Sequence, residues 1–496
     1  MQEKNEIFLQ FAYLCTLIMP KESKEALLAL IRNKQPMTGK QQLKLTALLS
    51  TPAILAQLSS VLMQYIDASM VGSLGALPAA SIGLVSTCVW LMGGFCGAAS
   101  AGFSVQVAHL IGANDFKSAR TVLRQALSCL LAFSSILALV GMGISQQLPH
   151  WLGGDENISH DASMYFMIFS AFMPAFQFEF MGASMLQASG NMKVPSILSI
   201  SMCLLDVIFN FLLIFPSRTL HPFGMSFTMP GADLGVTGAA LGTGFAELTT
   251  VILMLGYLLF KSEDLKITHE RGSFRPTRVC LKNAMGISLP MAVQNIVMRG
   301  AHIAGTVIVA PLGNIAIAAN SFAITAESFC YMPGNGIADA STALVGQSLG
   351  AGRKDLSRGF TKMTLSLGMG IMTFLSIIMY ITAPWLIGTM SPDPDVVALG
   401  AKVLRIEAFA ETMFAAAIVG YGSCIGAGDT LVPSIINLSS IWCVRIVLAL
   451  ILTPHLGLTG FWIAMCVELN VRGILFLYRL KSGKWMDKSA AIDKKY

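Results

Sequence analysis

The sequence predicts an all-α membrane protein with twelve transmembrane helices in two six-helix lobes that an internal repeat relates. Three observations support this fold class. Hydrophobic residues make up 54% of the 496-residue chain and charged residues only 12%, whereas a soluble domain has about 25% charged residues. About twelve apolar stretches are long enough to cross a bilayer, which takes roughly 20 residues each. Motifs of the first half return in the second half at one constant offset.

The predicted spans are helices and not strands. An open sheet is excluded in lipid because its backbone polar groups would lack partners, and the apolar runs do not alternate as barrel strands do. The spans lie near 46–70, 78–101, 122–145, 163–187, 194–215, 235–260, 284–309, 316–343, 363–388, 400–425, 431–453 and 457–479. The predicted organisation is an N-terminal extension (1–44), an N-lobe (45–260), a linker (261–283), a C-lobe (284–480) and a tail (481–496).

The internal repeat has an offset of 238 residues. Pairs at this separation are Pro52 with Pro290, Gly112 with Gly350, Gly190 with Gly428 and Pro216 with Pro454. The offset then falls to 222, so the first half carries 16 extra residues in its loop from Ser217 to Asp233. Each half holds six spans, an even number, so both halves have the same orientation. We therefore expect a pseudo-two-fold axis along the membrane normal, with the substrate path between the lobes.

The basic residues are distributed unevenly across the predicted spans. Of the 33 Lys and Arg, 27 fall in the termini and loops of one side. Because basic loops stay in the cytoplasm, both termini are predicted to be cytoplasmic and the protein to lie in the cell (inner) membrane. This rule also accounts for the net charge of +6 without a nucleic-acid partner. The surrounding partner is the lipid bilayer, and a monomer is expected.

An aspartate inside the first span is the leading candidate functional residue. Gln57, Ser60, Gln64 and Asp67 form one polar stripe on an otherwise apolar helix, since they recur at spacings of three, four and three. An aspartate deep in a membrane helix costs about 2.5–3.5 kcal/mol on insertion scales, so it normally faces a cavity or a partner. Asp67 is therefore predicted to be functional. The alternative is an acid near the helix end that reaches interfacial water.

A second polar pair occurs in the fifth span. Asp206 and Asn210 are four residues apart and share one helix face. The repeat gives none of these polar residues an equivalent, because Gly305 stands opposite Asp67 and Val444 stands opposite Asp206. The ion-coupling site is therefore predicted in the N-lobe alone.

Several motifs of both halves resemble those of one transporter family. They are YIDASMVGSLG, HLIGANDFKSAR, SGNMKVPSI, LGVTGAALGTG, ALVGQSLGAGRKD and IGAGDTLVPSI. As an ordered set over roughly 45–485, they are similar to the multidrug and toxic compound extrusion (MATE) transporters. The resemblance implies two six-helix lobes and export of organic cations and other amphiphiles against inward Na⁺ or H⁺.

The resemblance also implies where the coupling ion binds. Asp67 matches the first-helix aspartate of the family, the pair Asp206 and Asn210 would lie beside it, and Thr243 would lie near them. Gln64 belongs to the same polar stripe. In the family, position 206 is more often Asn and an acid occurs at position 210 in one branch. The order is reversed here, which leaves both H⁺ and Na⁺ open.

A buried carboxylate suits ion coupling because it can take up a proton or bind a metal ion in turn. Two acids and an amide offer oxygen ligands to Na⁺, or can share one proton. Beyond this coupling ion, no cofactor and no metal are expected. Sodium-type branches of the family place acids at positions that Met298 and Phe414 occupy here, so that pattern is not reproduced.

Further acids and amides are expected to meet the substrate. Glu327 and Glu411, in the eighth and tenth spans, would form an anionic surface for a cationic or amphiphilic small molecule, together with Gln57 and its repeat counterpart Asn295. Glu407 lies one helical turn from Glu411, so these like charges need a partner.

Two arginines complete this set of charges. Arg405 is the candidate partner of the two glutamates in the tenth span. Glu468 and Arg472, at i and i+4 in the last span, are expected to form a structural ion pair.

Other function classes stay open. A flippase for lipid-linked precursors, or a dedicated metabolite exporter of the same superfamily, is the main alternative. A flippase would carry more cationic residues in its cavity, of which Arg299 and His302 are the only hints. A channel or receptor does not explain a duplicated bundle with buried acids. A membrane enzyme is disfavoured because no HExxH or GxSxG motif occurs.

Overall fold

The computed structural model describes residues 23–220, 227–267 and 272–491. The apolar segment Ile7–Met19 lies outside these residues. The described chain is mainly helical. A β-hairpin of Pro216–Leu220 and Phe227–Ala232 occupies the loop that carries the 16 extra residues of the first half.

Ten of the described helices are long and apolar enough to cross a membrane, and one bent pair of helices makes an eleventh span. The ten are Gly39–Gly72, Leu77–Gly112, Phe116–Ile144, Lys193–Ile214, Gly235–Lys261, Arg278–Leu312, Asn314–Gly350, Lys354–Gly388, Leu431–Leu456 and Leu458–Ser482. The bent pair, Glu156–Ala171 and Met173–Ala188, turns by 48° and forms the fourth span.

The twelfth helix follows from the repeat. A second broken pair, Pro394–Glu407 and Glu411–Gly426, lies where the repeat places the tenth span. Its first start, its second start and its end fall 238 residues after those of the bent fourth span. The interruption is therefore a feature of the repeat unit, and the prediction of twelve helices in two lobes is confirmed.

The connections repeat as well as the helices. Gly75 and Gly313 both have positive φ angles, as do Gly190 and Gly428. Each pair is separated by 238 residues, so the two halves make the same left-handed turns, which glycine adopts at little cost. The duplicated sequence thus specifies a duplicated backbone.

The lobes meet at the end of the bundle that carries the basic loops, here called the basic end. His109 Nε2 lies 2.8 Å from the Gly426 carbonyl oxygen, and Gln347 Nε2 donates to the Ala188 carbonyl at 2.8 Å. Both residues of the second bond lie 238 positions from their equivalents in the first. The two bonds therefore form a pseudo-two-fold pair that holds the lobes together.

Close backbone packing accompanies this pair. Gly112 lies against the backbone of Gln347, and Gly350 lies against the backbone of His109. A Cβ atom on either glycine would overlap the facing carbonyl oxygen. Small residues allow helices to approach this closely. The basic end is consequently closed.

A short helix, Lys24–Arg32, covers the closed end, with Leu27, Leu28 and Ile31 on its buried face. Arg32 pairs with Asp264 of the linker at 2.7 Å. From the other lobe, Arg353 donates to the Lys34 carbonyl at 2.7 Å. The helix therefore contacts both lobes.

The linker and the tail pack on different lobes. Arg124 of the third span donates to the Ile267 carbonyl at 3.1 Å, so the linker follows the N-lobe. Trp485 of the tail is 1% exposed and packs in a C-lobe cluster. The Lys354 ammonium lies 2.7 Å from the Asp487 carboxylate and holds the pKa of Asp487 below its usual value.

Candidate ion-coupling site and central cavity

Two aspartates and one amide meet inside the N-lobe. Asn210 Nδ2 donates to Asp67 Oδ1 at 3.1 Å and to Asp206 Oδ2 at 3.0 Å. The two carboxylates are also within hydrogen-bonding reach of each other. The first and fifth spans therefore bring together three of the residues selected from the sequence.

The sixth span completes the cluster. Gly242 allows the close approach, because a Cβ atom there would overlap the Asn210 Oδ1 atom. The next residue, Thr243, lies within hydrogen-bonding reach of Asp206. The small residues of GAALGTG are thus needed to bring the fifth and sixth spans together around the polar group.

Burial makes this cluster electrostatically demanding. Asp206 is 0% exposed and Asn210 is 1% exposed, whereas Asp67 is half-buried. Asp206 Oδ1 and Asn210 Oδ1 have no hydrogen-bond partner in the described part of the chain. Two carboxylates this close repel each other unless a proton or a cation lies between them. The unpartnered oxygens provide capacity for such a ligand.

One predicted member lies apart and one member was missed. The Gln64 side chain is exposed and takes no part in the hydrogen bonds of the cluster. Tyr165, in the fourth span, lies near both Asp67 and Asp206. Sequence reasoning had no signal for it, because a tyrosine in an apolar span is usually a packing residue.

A second pair of N-lobe acids lies close by. Glu247 is 5% exposed, and its Oε2 atom has no hydrogen-bond partner among the described residues. It is close enough to Glu179 and Asp206 to interact electrostatically with both. The charges of the N-lobe therefore extend inward from the coupling cluster.

The acids of the C-lobe are buried and do not line a cavity. Glu327 is 6% exposed, and Glu407 and Glu411 are both 0% exposed. Neither Glu327 nor Glu411 is among the residues that line the central cavity. The expectation that they form an anionic substrate surface is therefore corrected, because the packing of the tenth span places them in the lobe interior.

Arg405 is not the partner of these glutamates. Its Nε atom donates to the Tyr380 carbonyl at 3.2 Å, and its guanidinium lies 5.5 Å from the centre of the Tyr380 ring. The carboxylate oxygens of Glu407 and Glu411 have no hydrogen-bond partner in the described part of the chain. Sequence adjacency did not reveal that Arg405 occupies another face of the helix.

The ion pair expected in the last span is confirmed and is larger than predicted. Arg472 lies 2.7 Å from Glu468, and Arg445 lies 2.8 Å from the same carboxylate. Ser440 also donates to Glu468. Arg445 and Ser440 belong to a π-helical segment, Ser440–Ile446. Its partners could not be predicted because a π-helix shifts the side-chain register.

A cavity of about 420 Å³ lies on the boundary between the first span and the C-lobe. Its lining includes Gln57, Met332, Asn335, Asp339, Phe414, Tyr421, Asn437 and Arg472. Of the two predicted amides, Gln57 therefore faces the cavity. Asn295 instead donates to the Gly94 carbonyl at 2.9 Å and links the seventh and second spans.

Asp339 is the functional candidate that sequence reasoning missed. It lies within the eighth span, where the cost of a buried charge marks an acid as a candidate. The same argument that selected Asp67 would have found it. The neighbouring small residues gave no separate signal.

Comparison with known proteins identifies the family. The family model MatE matches residues 52–212 and 290–451, which lie in the two lobes. The chain belongs to the MatE family. Members of this family are transporters and not enzymes. The two matched segments are the two halves of the internal repeat.

Individual relatives and structures resemble the whole chain. "Probable multidrug resistance protein NorM" of Thermotoga maritima is 26% identical over 449 residues, covering 90% of this chain and 93% of that protein. "Uncharacterized transporter YisQ" of Bacillus subtilis is 24% identical, covering 79% and 83%. A crystal structure of a MATE protein in complex with MaL6 has a TM-score of 0.82 at 19% identity, covering 92% of this chain and 99% of that one. At this identity the structural likeness demonstrates the fold alone.

Proposed function

We propose that this MatE protein is an ion-coupled exporter of cationic and amphiphilic small molecules in the cell membrane. The single observation that carries the proposal is the buried cluster of Asp67, Asp206 and Asn210 in one lobe of a duplicated bundle. The names of relatives such as the Thermotoga maritima protein support multidrug substrates. Because the cluster has no equivalent in the C-lobe, one lobe binds the ion while both lobes enclose the substrate.

The arrangement favours a proton over a sodium ion. Asn210 directs its Nδ2 group at both carboxylates, and its Oδ1 atom faces away without a partner. A sodium ion requires oxygen ligands, so the amide would have to rotate to bind it. A proton shared by Asp67 and Asp206 is compatible with the amide as it stands.

Alternating access follows from the closed basic end. Since basic loops stay in the cytoplasm, the bonds of His109 and Gln347 close the cytoplasmic side. Asp67 lies five residues before the end of the first span at Gly72, about 7.5 Å along the helix axis. The protein is therefore outward-facing, and a proton from outside enters the cluster near the outer end.

The test is efflux of a fluorescent organic cation from proteoliposomes, with a pH gradient and a Na⁺ gradient imposed separately. We expect the pH gradient to drive efflux in the wild type. Asp67→Asn and Asp206→Asn should reduce this efflux to the level of empty liposomes. Asp395→Asn removes an exposed acid at the start of the tenth span and is the matched control.

The competing outcomes are distinct. Efflux driven by the Na⁺ gradient alone would replace the proton with sodium at the same cluster. Gradient-driven efflux that survives in Asp67→Asn would overturn the coupling site. Absence of efflux under both gradients would favour the flippase alternative, which transport of a lipid-linked phosphate would then test.

A further inference from the structure

The central cavity has an uneven charge. Its lining contains one acid, Asp339, and one base, Arg472. Arg472 donates to Glu468 at 2.7 and 2.8 Å, so its charge is neutralised from behind the cavity wall. Asp339 belongs to none of the ion pairs found in the described part of the chain. The cavity therefore presents an uncompensated negative charge.

The rest of the lining suits a ligand with an apolar body. Phe414 and Tyr421 present aromatic rings, and Met332 presents a flexible thioether. Aromatic faces attract organic cations, and methionine adapts to varied shapes. A volume of about 420 Å³ falls within the range of small-molecule sites, roughly 300–1,000 Å³.

A residue from the opposite lobe contacts the acid. Gln57 belongs to the first span, in the N-lobe, and its side chain is within hydrogen-bonding reach of Asp339. One helical turn away, Gly336 of the eighth span lies against the backbone of Ala53 and Ile54. This contact crosses the boundary between the lobes. It can persist only while the lobes are together in this region.

We propose that the cavity binds an organic monocation against the Asp339 carboxylate, and that Gln57 competes with this ligand when the lobes close at the basic end. This inference rests on the proposed export function and adds a binding site and a release step. When the basic end opens, Asp339 loses Gln57 and is free for the cation. On closure, the Gln57 amide donates to the carboxylate and weakens cation binding, so release on the opposite side is favoured.

Direct binding measurements test both parts. The probe is tetraphenylphosphonium, measured by equilibrium dialysis with the purified full-length protein in detergent, and triphenylphosphine oxide is the uncharged comparison. We expect Asp339→Asn to weaken tetraphenylphosphonium binding at least tenfold and to leave the uncharged ligand within twofold. Asp339→Glu should restore most of the affinity. Gln57→Ala should tighten cation binding several-fold, and Asp395→Asn should behave as the wild type.

Contrary results separate this inference from the proposed function. Unchanged tetraphenylphosphonium affinity in Asp339→Asn, or no binding by the wild type, overturns the site. Unchanged affinity in Gln57→Ala overturns the competition. If the wild type binds tetraphenylphosphonium but no ion gradient drives its export, the proposed function fails while the site stands. If Asp339→Asn is not monodisperse in gel filtration, the comparison of Asp339→Glu with Gln57→Ala decides the proposal.

Discussion

The two lobes have the same backbone and different charges. In the N-lobe, Asp67, Asp206 and Asn210 form a cluster with unpartnered oxygens. Their repeat equivalents are Gly305, Val444 and Leu448. In the C-lobe, Glu468 is held by Arg445 and Arg472, whose equivalents in the N-lobe are Ala246, Val207 and Thr250.

This difference separates the symmetric task of the bundle from the asymmetric one. The turns, the bent spans and the bonds at the basic end are shared, because both lobes must pack and close against each other. The charged clusters are not shared, because a single ion site suffices and the other lobe can use its charges to hold its helices. The following experiments test this division.

The largest effect is expected where a C-lobe charge is removed. Glu468→Ala leaves Arg445 and Arg472 without their carboxylate. Breaking a buried ion pair by removing one partner costs about 3–5 kcal/mol. The measurement is the free energy of unfolding in mixed micelles. The matched N-lobe variant is Thr250→Ala, which removes a buried hydroxyl that donates to the Ala246 carbonyl at 2.9 Å.

The Thr250→Ala variant should lose only about 0.5–1.5 kcal/mol, the net contribution of a hydrogen bond. Equal losses in the two lobes would contradict the view that only the C-lobe uses buried charge for stability. A large loss in the N-lobe variant alone would reverse it.

An intermediate effect is expected from the symmetric gate. Gly112→Ala and Gly350→Ala each place a Cβ atom against a backbone carbonyl of the other lobe. Overpacking costs roughly 1–3 kcal/mol, so both variants should shift the protein toward the state that is open at the basic end. The distance between spin labels at Lys117 and Lys354, in a cysteine-free background, should increase.

The two gate variants should also resemble each other, because the pseudo-two-fold makes their contacts equivalent. Gly143→Ala and Gly370→Ala, in the third and ninth spans, are matched controls, since no atom lies within 4 Å of the position of an added Cβ. A label distance that changes in only one gate variant would show that the closure is asymmetric.

The smallest effect is expected at the helix that covers the basic end. Arg32→Ala removes the partly buried pair with Asp264. Such a pair contributes about 0.2–1 kcal/mol, so amide exchange of Lys24–Arg32 should accelerate at most about fivefold. Lys24→Ala is the control, because Lys24 pairs only within its own helix, with Glu25 at 3.4 Å. Identical exchange in both variants would remove the linker contact as a support of the helix.

Sequence reasoning predicted the elements better than their contacts. The twelve helices and the duplication followed from apolar length and one constant offset. The bends of the fourth and tenth spans did not, because each break falls within a continuous apolar stretch. The partners of Arg405 also escaped prediction, because sequence spacing shows neighbours on one helix and not the helix that packs against it.

The coupling cluster shows how much of a site can be predicted. The cost of burying a charge selected Asp67 and Asp206, and helical periodicity put Asp206 and Asn210 on one face. The same cost argument applies to Asp339, which was overlooked, and to Glu411, whose predicted contact with substrate was wrong. Cost indicates that an acid must be accommodated. It does not say whether a cavity, a partner or the lobe interior accommodates it.

The sequence by itself determined the number of helices, the two-fold repeat and the acids that need an explanation, because these depend on composition, periodicity and offset along the chain. Only the tertiary structure decided that Asn210 joins two aspartates, that Gln57 crosses to Asp339, and that Glu468 holds two arginines. These contacts depend on the rotation and approach of helices far apart in sequence. Packing of whole faces sets both, so no local pattern encodes them.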